Sequence, residues 1–300
     1  MRKLILIISI LLCAGSAFSQ LYHSPGFFSI DKFQVLDTAY LKCTYRLTHV
    51  RDTLKADKTK GIDMQILLIG KKKSKYFSQY MVDYCLYISN LFKKGDKNGR
   101  KPSGDQAIPN NPEKGTFGYE IYKNSSDTKM TVTDLKTRVG ETQFGSNYQY
   151  EDEISDMKWD IKSDTSTVLS YSCQKATTTF RGRNYEAWFT TELPINNGPW
   201  KFGGLPGLIL KISDNKQFHV FECIGIKKLK IMEPIKFYDL KYIKISRENL
   251  NKLYQRYEDD QVGYVISNGY TGKSYVSGPN DTMIEVKHFP KQPFNPIELK

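Results

Sequence analysis

The sequence predicts a mainly β protein: an antiparallel sheet, sandwich or half-open barrel carrying one or two packed helices. Many short segments are rich in β-branched and aromatic residues, turn residues separate most of them, and few stretches show helical apolar spacing.

The first nineteen residues stand apart from this pattern. Arg2 and Lys3 precede an apolar run from Leu4 to Cys13, and small residues then lead to Ala17-Phe18-Ser19. A charged region, an apolar region and a small-residue cleavage site in that order form a signal peptide. The run falls short of the roughly 20 residues that span a bilayer. Leu12 is too bulky for the position before a lipidated Cys13. The expected organisation is a signal peptide at 1–19 and a single β-rich domain at 20–300, periplasmic or secreted after cleavage near Ser19, with no second apolar stretch of membrane length.

Strands are expected at Tyr40–Thr48, Ile62–Ile69, Thr128–Thr133, Thr167–Cys173, Thr177–Arg181, Tyr185–Thr191, Leu208–Ile212 and Phe218–Ile226. The last alternates poorly, which suits burial on both faces. The clearest helix starts at Ser246 as N-cap. It carries Glu248 near its positive end, places Leu250, Leu253, Tyr254 and Tyr257 on one side, and ends in Glu258-Asp259-Asp260. Tyr80–Leu91 is a second candidate. Residues 95–115 contain four glycines and three prolines with almost no apolar anchor, so a flexible loop is expected there.

The chain of 300 residues carries a formal charge of +12, and removing Arg2 and Lys3 leaves +10. Such a charge draws an exported protein toward anionic glycans, lipid phosphates or acidic partners. Nucleic acid is a poor candidate in that compartment. Lysine clusters at Lys71-Lys72-Lys73 with Lys75, at Lys93-Lys94 and at Lys227-Lys228 with Lys230 read as solvated strand ends. Cys43, Cys85, Cys173 and Cys223 survive processing and permit disulfides or buried thiols, with the pairing left open.

No complete catalytic or metal motif is present. Ser267–Ser274 resembles a phosphate-binding loop but has serine where its first glycine belongs. Ser213-Asp214-Asn215 lacks an accompanying Lys-Thr-Gly. Asp96, Asn98, Gly99 and Asp105 fit a calcium loop whose first place is Lys94. His23, His49, His219 and His288 are scattered, and Glu151-Asp152-Glu153 with Asp156 reads as a solvated acidic turn. Neither a metal nor a cofactor is expected.

Gly204-Leu205-Pro206-Gly207-Leu208-Ile209 is the signature of the GLPGLI family of exported bacterial proteins, and the chain resembles that family over most of its mature length. Ala187-Trp188-Phe189-Thr190, Gly198-Pro199-Trp200-Lys201-Phe202, Cys173-Gln174-Lys175-Ala176 and Asn295-Pro296-Ile297-Glu298-Leu299 extend the match. The resemblance implies export and brings no assigned activity. Leu205-Pro206-Gly207-Leu208 has the sequence of a type II turn, with Gly207 expected at positive φ. The signature is then either a folding device or part of an apolar cleft walled by Trp188, Trp200 and Phe202, with Arg181 and Arg183 at its mouth. The expected function is a non-catalytic binding or carrier module for an apolar or amphipathic ligand or an envelope partner. The alternative is a hydrolase whose site assembles only in the fold. N-terminal mass spectrometry of the exported protein should find Gln20 as the first residue; an intact Met1 would refute cleavage.

Overall fold

The computed structural model describes residues 30, 32–83, 85–86, 118–125, 129–134, 147–153, 157–267, 274–277 and 282–299. The signal peptide expected at 1–19 and the loop expected at 95–115 lie outside these residues. Among those described, twelve strands form one sheet. In chain order they are β1 (Phe33–Val50), β2 (Lys60–Gly70), β3 (Lys73–Ser78), β4 (Tyr119–Asn124), β5 (Lys129–Asp134), β6 (Asn147–Glu153), β7 (Asp160–Val168), β8 (Tyr171–Phe180), β9 (Arg183–Thr190), β10 (Leu208–Asp214), β11 (His219–Tyr238) and β12 (Tyr242–Lys244). Their order across the sheet is β12-β6-β5-β4-β3-β2-β1-β11-β10-β9-β8-β7, antiparallel except for the parallel β12–β6 pair. The helices α1 (Arg247–Asp259) and α2 (Gln261–Ser267) follow, and β13 (Ser274–Ser277) with β14 (Met283–Val286) forms a separate hairpin. The fold is therefore mainly β, as the sequence predicts.

The long β1–β11 pair is the spine of the sheet. On β1, Leu41, Cys43, Tyr45 and Leu47 alternate into the main core. That one core also collects Leu67, Ile121, Val132 and Tyr150 from the β2–β6 wing and Cys173, Tyr185, Phe189 and Ile212 from the other wing. Such convergence requires a curled sheet. β6 and β8 stand second and eleventh in the order, which in a flat sheet would separate them by roughly 40 Å at the usual strand spacing. Yet Asp152 of β6 lies 2.6 Å from Arg181, the residue that follows β8. The space enclosed by the curl is filled by residues 191–207, whose Trp200, Phe202 and Leu205 are buried. The Phe202 ring meets Tyr185, Phe221 and Phe180 edge-on with centroids 4.8, 5.9 and 6.2 Å away.

A second layer covers the outer face of β2–β4. The first residues of β1 and the last of β11 fold over it, burying Ala39, Ile66, Leu68, Phe77 and Ile235 together. Lys75 of β3 lies inside this layer, 2.6 Å from Glu120, and donates to the Lys236 carbonyl at 2.9 Å. Its ammonium also sits 4.4 Å from the centre of the Tyr238 ring. Burial pushes the Lys75 pKa down, and the Glu120 carboxylate partly offsets it. The expected solvated lysine end thus holds for exposed Lys71 and Lys72 but fails at Lys75, which is 2% exposed.

Most expected strands fall within β1, β2, β5, β8, β9, β10 and β11. Thr167–Cys173 is instead a hairpin turn: Leu169 and Ser170 adopt φ of 49° and 70°, and β7 and β8 flank them. Strands β3, β4, β6, β7, β12, β13 and β14 have no counterpart among the expected strands. α1 follows the Ser246 cap, whose side chain accepts from the Asn249 amide, and runs to Asp259. In the other helical candidate, residues 79–83 and 85–86 are helical, and 87–91 lie outside the described residues.

Gly207 does not adopt positive φ; in the signature that conformation belongs to Gly204, at φ 90°. Gly207 is needed for another reason. A Cβ there would fall on the Thr190 carbonyl oxygen and within 2.6 Å of its carbon, where the chain before β10 passes the end of β9. Backbone cannot yield as a side-chain tip can. Gly207→Ala and Gly207→Asn should therefore both destabilise by about 1–3 kcal/mol in chemical denaturation, with no relief from asparagine. Relief by asparagine would restore the left-handed turn.

Candidate functional site

The alternation of β9 divides the residues expected to form one cleft. Tyr185, Ala187 and Phe189 point into the core, so Glu186 and Trp188 face the opposite side. Trp200 and Phe202, at 5% and 0% exposure, are core residues and share no wall with Trp188. Arg183 is consumed by the structure: it donates to Asp214 at 2.8 Å, to Asn295 and the Pro296 carbonyl at 2.6 Å, and to the Ile297 carbonyl at 3.0 Å. No open cleft forms from Trp200, Phe202, Arg181 and Arg183.

Arg181 instead joins a buried ionic cluster centred on Lys201, the residue between Trp200 and Phe202. Lys201, with no exposure, lies 2.7 Å from Asp152 and 2.5 Å from Glu298, and donates to the Tyr150 hydroxyl at 3.0 Å. Arg181 also binds Asp152, and Arg247 of α1 lies 3.4 Å from Glu298. Burial would raise the Asp152 carboxyl, but the Lys201 ammonium and the Arg181 guanidinium outweigh it and hold the pKa below the ordinary range. The acidic stretch at 151–153 is thus a strand with one buried carboxylate, not a solvated turn. The C-terminal segment is strapped across the same region. Leu299 donates to the Arg181 carbonyl at 2.9 Å, Tyr185 to Ile297 at 3.1 Å, and Asn295 to Val50 at 2.7 Å. Nearby, His219 is buried with its Nδ1 4.0 Å from Asp214, beyond hydrogen-bond reach, and burial pushes its pKa down.

Cys43 and Cys223 meet on β1 and β11, and hydrogen bonding between their thiols raises the Cys43 pKa and lowers that of Cys223. All four described cysteines are buried.

On the outer face a row of polar side chains crosses five strands. The register pairs Arg46 of β1 with Glu222 of β11, Glu222 with Lys211 of β10, Lys211 with Trp188 of β9, and Trp188 with Lys175 of β8. Arg46 and Glu222 form an ion pair. Glu186 accepts from the Trp188 indole at 3.1 Å and pairs with Lys175 at 2.8 Å, which holds the Lys175 ammonium pKa above its ordinary value. Val168 and Leu169, from the β7–β8 turn, join Trp188, Lys211, Arg46 and Glu222 around an open groove of about 510 Å³. A half-buried indole flanked by fixed donors and acceptors can hold a ring with an apolar face and a hydroxyl-bearing edge. No histidine lines the groove. Of its residues the sequence marks Trp188 as a candidate ligand contact and Cys223 only as a cysteine. Period-two alternation gives Glu186 the same face, but Arg46, Lys211 and Glu222 join them only through strand register.

A family model described as "N-glycanase peptide, N-terminal domain" matches residues 116–249. That span holds β4 to β12 and the first residues of α1, and so includes Trp188 and the Gly204–Ile209 signature. Two solved structures of PNGF-II, in different crystal forms, are similar over 72% of this chain at 16% identity, with TM-scores of 0.45 and 0.46. The chain spans about a third of their length, at 32%. The curated proteins contain no match.

Lys123 of β4 holds the signature loop from the other side. Buried, and with no carboxylate bonded to it, it donates to Asn197 Oδ1 at 3.1 Å, the Gly198 carbonyl at 3.0 Å and the Phe202 carbonyl at 2.7 Å. Burial pushes its pKa down to about 7. Unfolded, the same lysine keeps its proton to about pH 10. The unfolded state therefore binds more protons across that window, and stability rises with pH through it. Relative to Lys123→Met, the wild type should gain about 1 kcal/mol per pH unit between roughly pH 7 and pH 10 in denaturant titrations. Parallel pH profiles would place the lysine's proton elsewhere.

Proposed function

We propose that the protein is an exported, non-catalytic binding module that holds a carbohydrate chain in the groove around Trp188. The indole carries this reading: it is set among Lys175, Glu186, Lys211 and Glu222, whose positions are fixed by cross-strand register. The groove is too polar for a purely apolar ligand and suits an amphipathic one. Similarity of residues 116–249 to a domain named for an N-glycanase supports glycan as the ligand class. The signature at Gly204–Ile209, together with the signal-peptide pattern at 1–19, supports membership of the GLPGLI family and a periplasmic or secreted location. A binding role is favoured over catalysis because the buried ionisable groups beneath the sheet are committed to one another, as Lys201 is to Asp152 and Glu298.

Titration calorimetry against N-linked glycans and glycopeptides tests this reading. Trp188→Ala should weaken binding at least about tenfold, near 1.4 kcal/mol, with a melting temperature close to wild type because Trp188 is only half-buried. Absence of glycan binding, or equal binding by Trp188→Ala, would sink it. Release of free glycan from the glycopeptide in the same assay would favour a hydrolase.

A further inference from the structure

The β1–β11 ladder shifts register at three places, and at the widest of them the strands part. Ala39 pairs with Glu233 and Leu41 with Lys228, so the four residues from Leu229 to Met232 have no partner on β1 and bulge out of the ladder. Ile231 is 87% exposed and Met232 56%. Lys227, Lys228 and Lys230 surround them, all exposed. The β2–β3 hairpin brings Lys71 and Lys72 alongside: Gly70 pairs with Ala39, the Lys72 amide donates to Asp37 at 2.7 Å, and the Thr38 hydroxyl contacts the Met232 sulfur at 3.6 Å. The acidic residues nearby are already engaged, Asp37 by backbone amides and Glu233 by Lys42 at 3.3 Å. None of the five lysines takes part in an ion pair among the described residues. The end of the molecule is thus a basic collar around a two-residue apolar tip.

We propose that this bulge docks the protein on an anionic lipid surface, with Ile231 and Met232 entering the boundary between headgroups and acyl chains and the lysines resting at phosphate level. Charge complementarity selects the partner. A protein groove would accept the apolar pair, but five exposed lysines beside it, none in an ion pair among the described residues, suit a dense two-dimensional array of phosphates. No helix among the described residues is long and apolar enough to cross a membrane. The contact is peripheral and leaves the Trp188 groove out of the lipid contact.

Co-sedimentation with vesicles tests it, using the whole exported chain and comparing phosphatidylglycerol mixed into phosphatidylcholine with phosphatidylcholine alone. Wild type should bind the anionic vesicles only, and salt near 0.5 M should release most of it by screening. Ile231→Asp with Met232→Asp should lower binding at least about tenfold, as should Lys227→Glu with Lys228→Glu. Leu54→Asp should bind as wild type: that side chain is 93% exposed but sits beyond the opposite end of the β1–β2 hairpin. Ile231 and Met232 make no core contact, so an unchanged melting temperature will separate lost docking from lost folding. The proposal falls if wild type ignores anionic vesicles, if neutral vesicles bind it equally, or if the doubly substituted Ile231 and Met232 protein binds undiminished.

Discussion

One ammonium group without access to water decides how the sheet closes. Lys201 sits where β6, the β8–β9 turn, the start of α1 and the C-terminal segment meet, and each contributes a charged partner within the cluster. Removing such charges from water costs several kcal/mol per ion. The arrangement is tolerable because each carboxylate is shared: Asp152 between Lys201 and Arg181, and Glu298 among Lys201, Arg181 and Arg247. Only one curvature of the sheet satisfies all five. Apolar burial would accept a flatter sheet or a slipped strand, whereas a slip here would leave a buried charge unpaired. The cluster contributes specificity of closure more than net stability.

The signature loop is the complementary constraint. With the wings drawn together, a cavity would remain between them, and Trp200, Phe202 and Leu205 fill it. The loop must then carry unpaired backbone through the interior. Lys123 answers that requirement by donating to two of its carbonyls and to the Asn197 side chain, while Asn197 donates onward to Ser74 at 2.8 Å. Glycine at 207 lets the chain before β10 pass the end of β9 at contact distance. Motifs that stand out in the sequence as glycine, proline and aromatic residues are thus explained by filling and satisfying a closed interior.

Local rules were legible in the sequence, and long-range pairing was not. Ser246 announces α1 because capping chemistry involves neighbours three residues apart. Alternation reveals much of β1 and β9 for the same reason. Three of the stretches missed carry buried charges: Lys75 in β3, Glu120 and Lys123 in β4, and Asp152 in β6 each break an apolar pattern that strand prediction relies on, whereas β7 and β12 are mostly exposed and have no such pattern to show. Their partners lie tens of residues away, so nothing local marks them as neutralised. Gly207 stands out in the sequence as a turn glycine but is required by a close backbone approach, and the two demand the same residue. Proximity in sequence groups Trp188 with Trp200 and Phe202, although strand parity sends it the other way.

That parity explains how one short motif serves both faces. In Ala187-Trp188-Phe189-Thr190, Ala187 and Phe189 face the core, where Ala187 leaves room and Phe189 fills it, and Thr190 lies beneath the loop at Gly207. Trp188, the residue between them, has the opposite parity and stands half-buried on the outer face beside Lys211 and Lys175, packed against the margin of the core. An indole in that position is costly for a strand that only needed a polar exterior. Glu186, bonded to its Nε1 and paired with Lys175, fixes the ring and keeps it from folding away. The interior accounts for every other aromatic in the motif region, and Trp188 remains as the side chain that the closure of the sheet does not require.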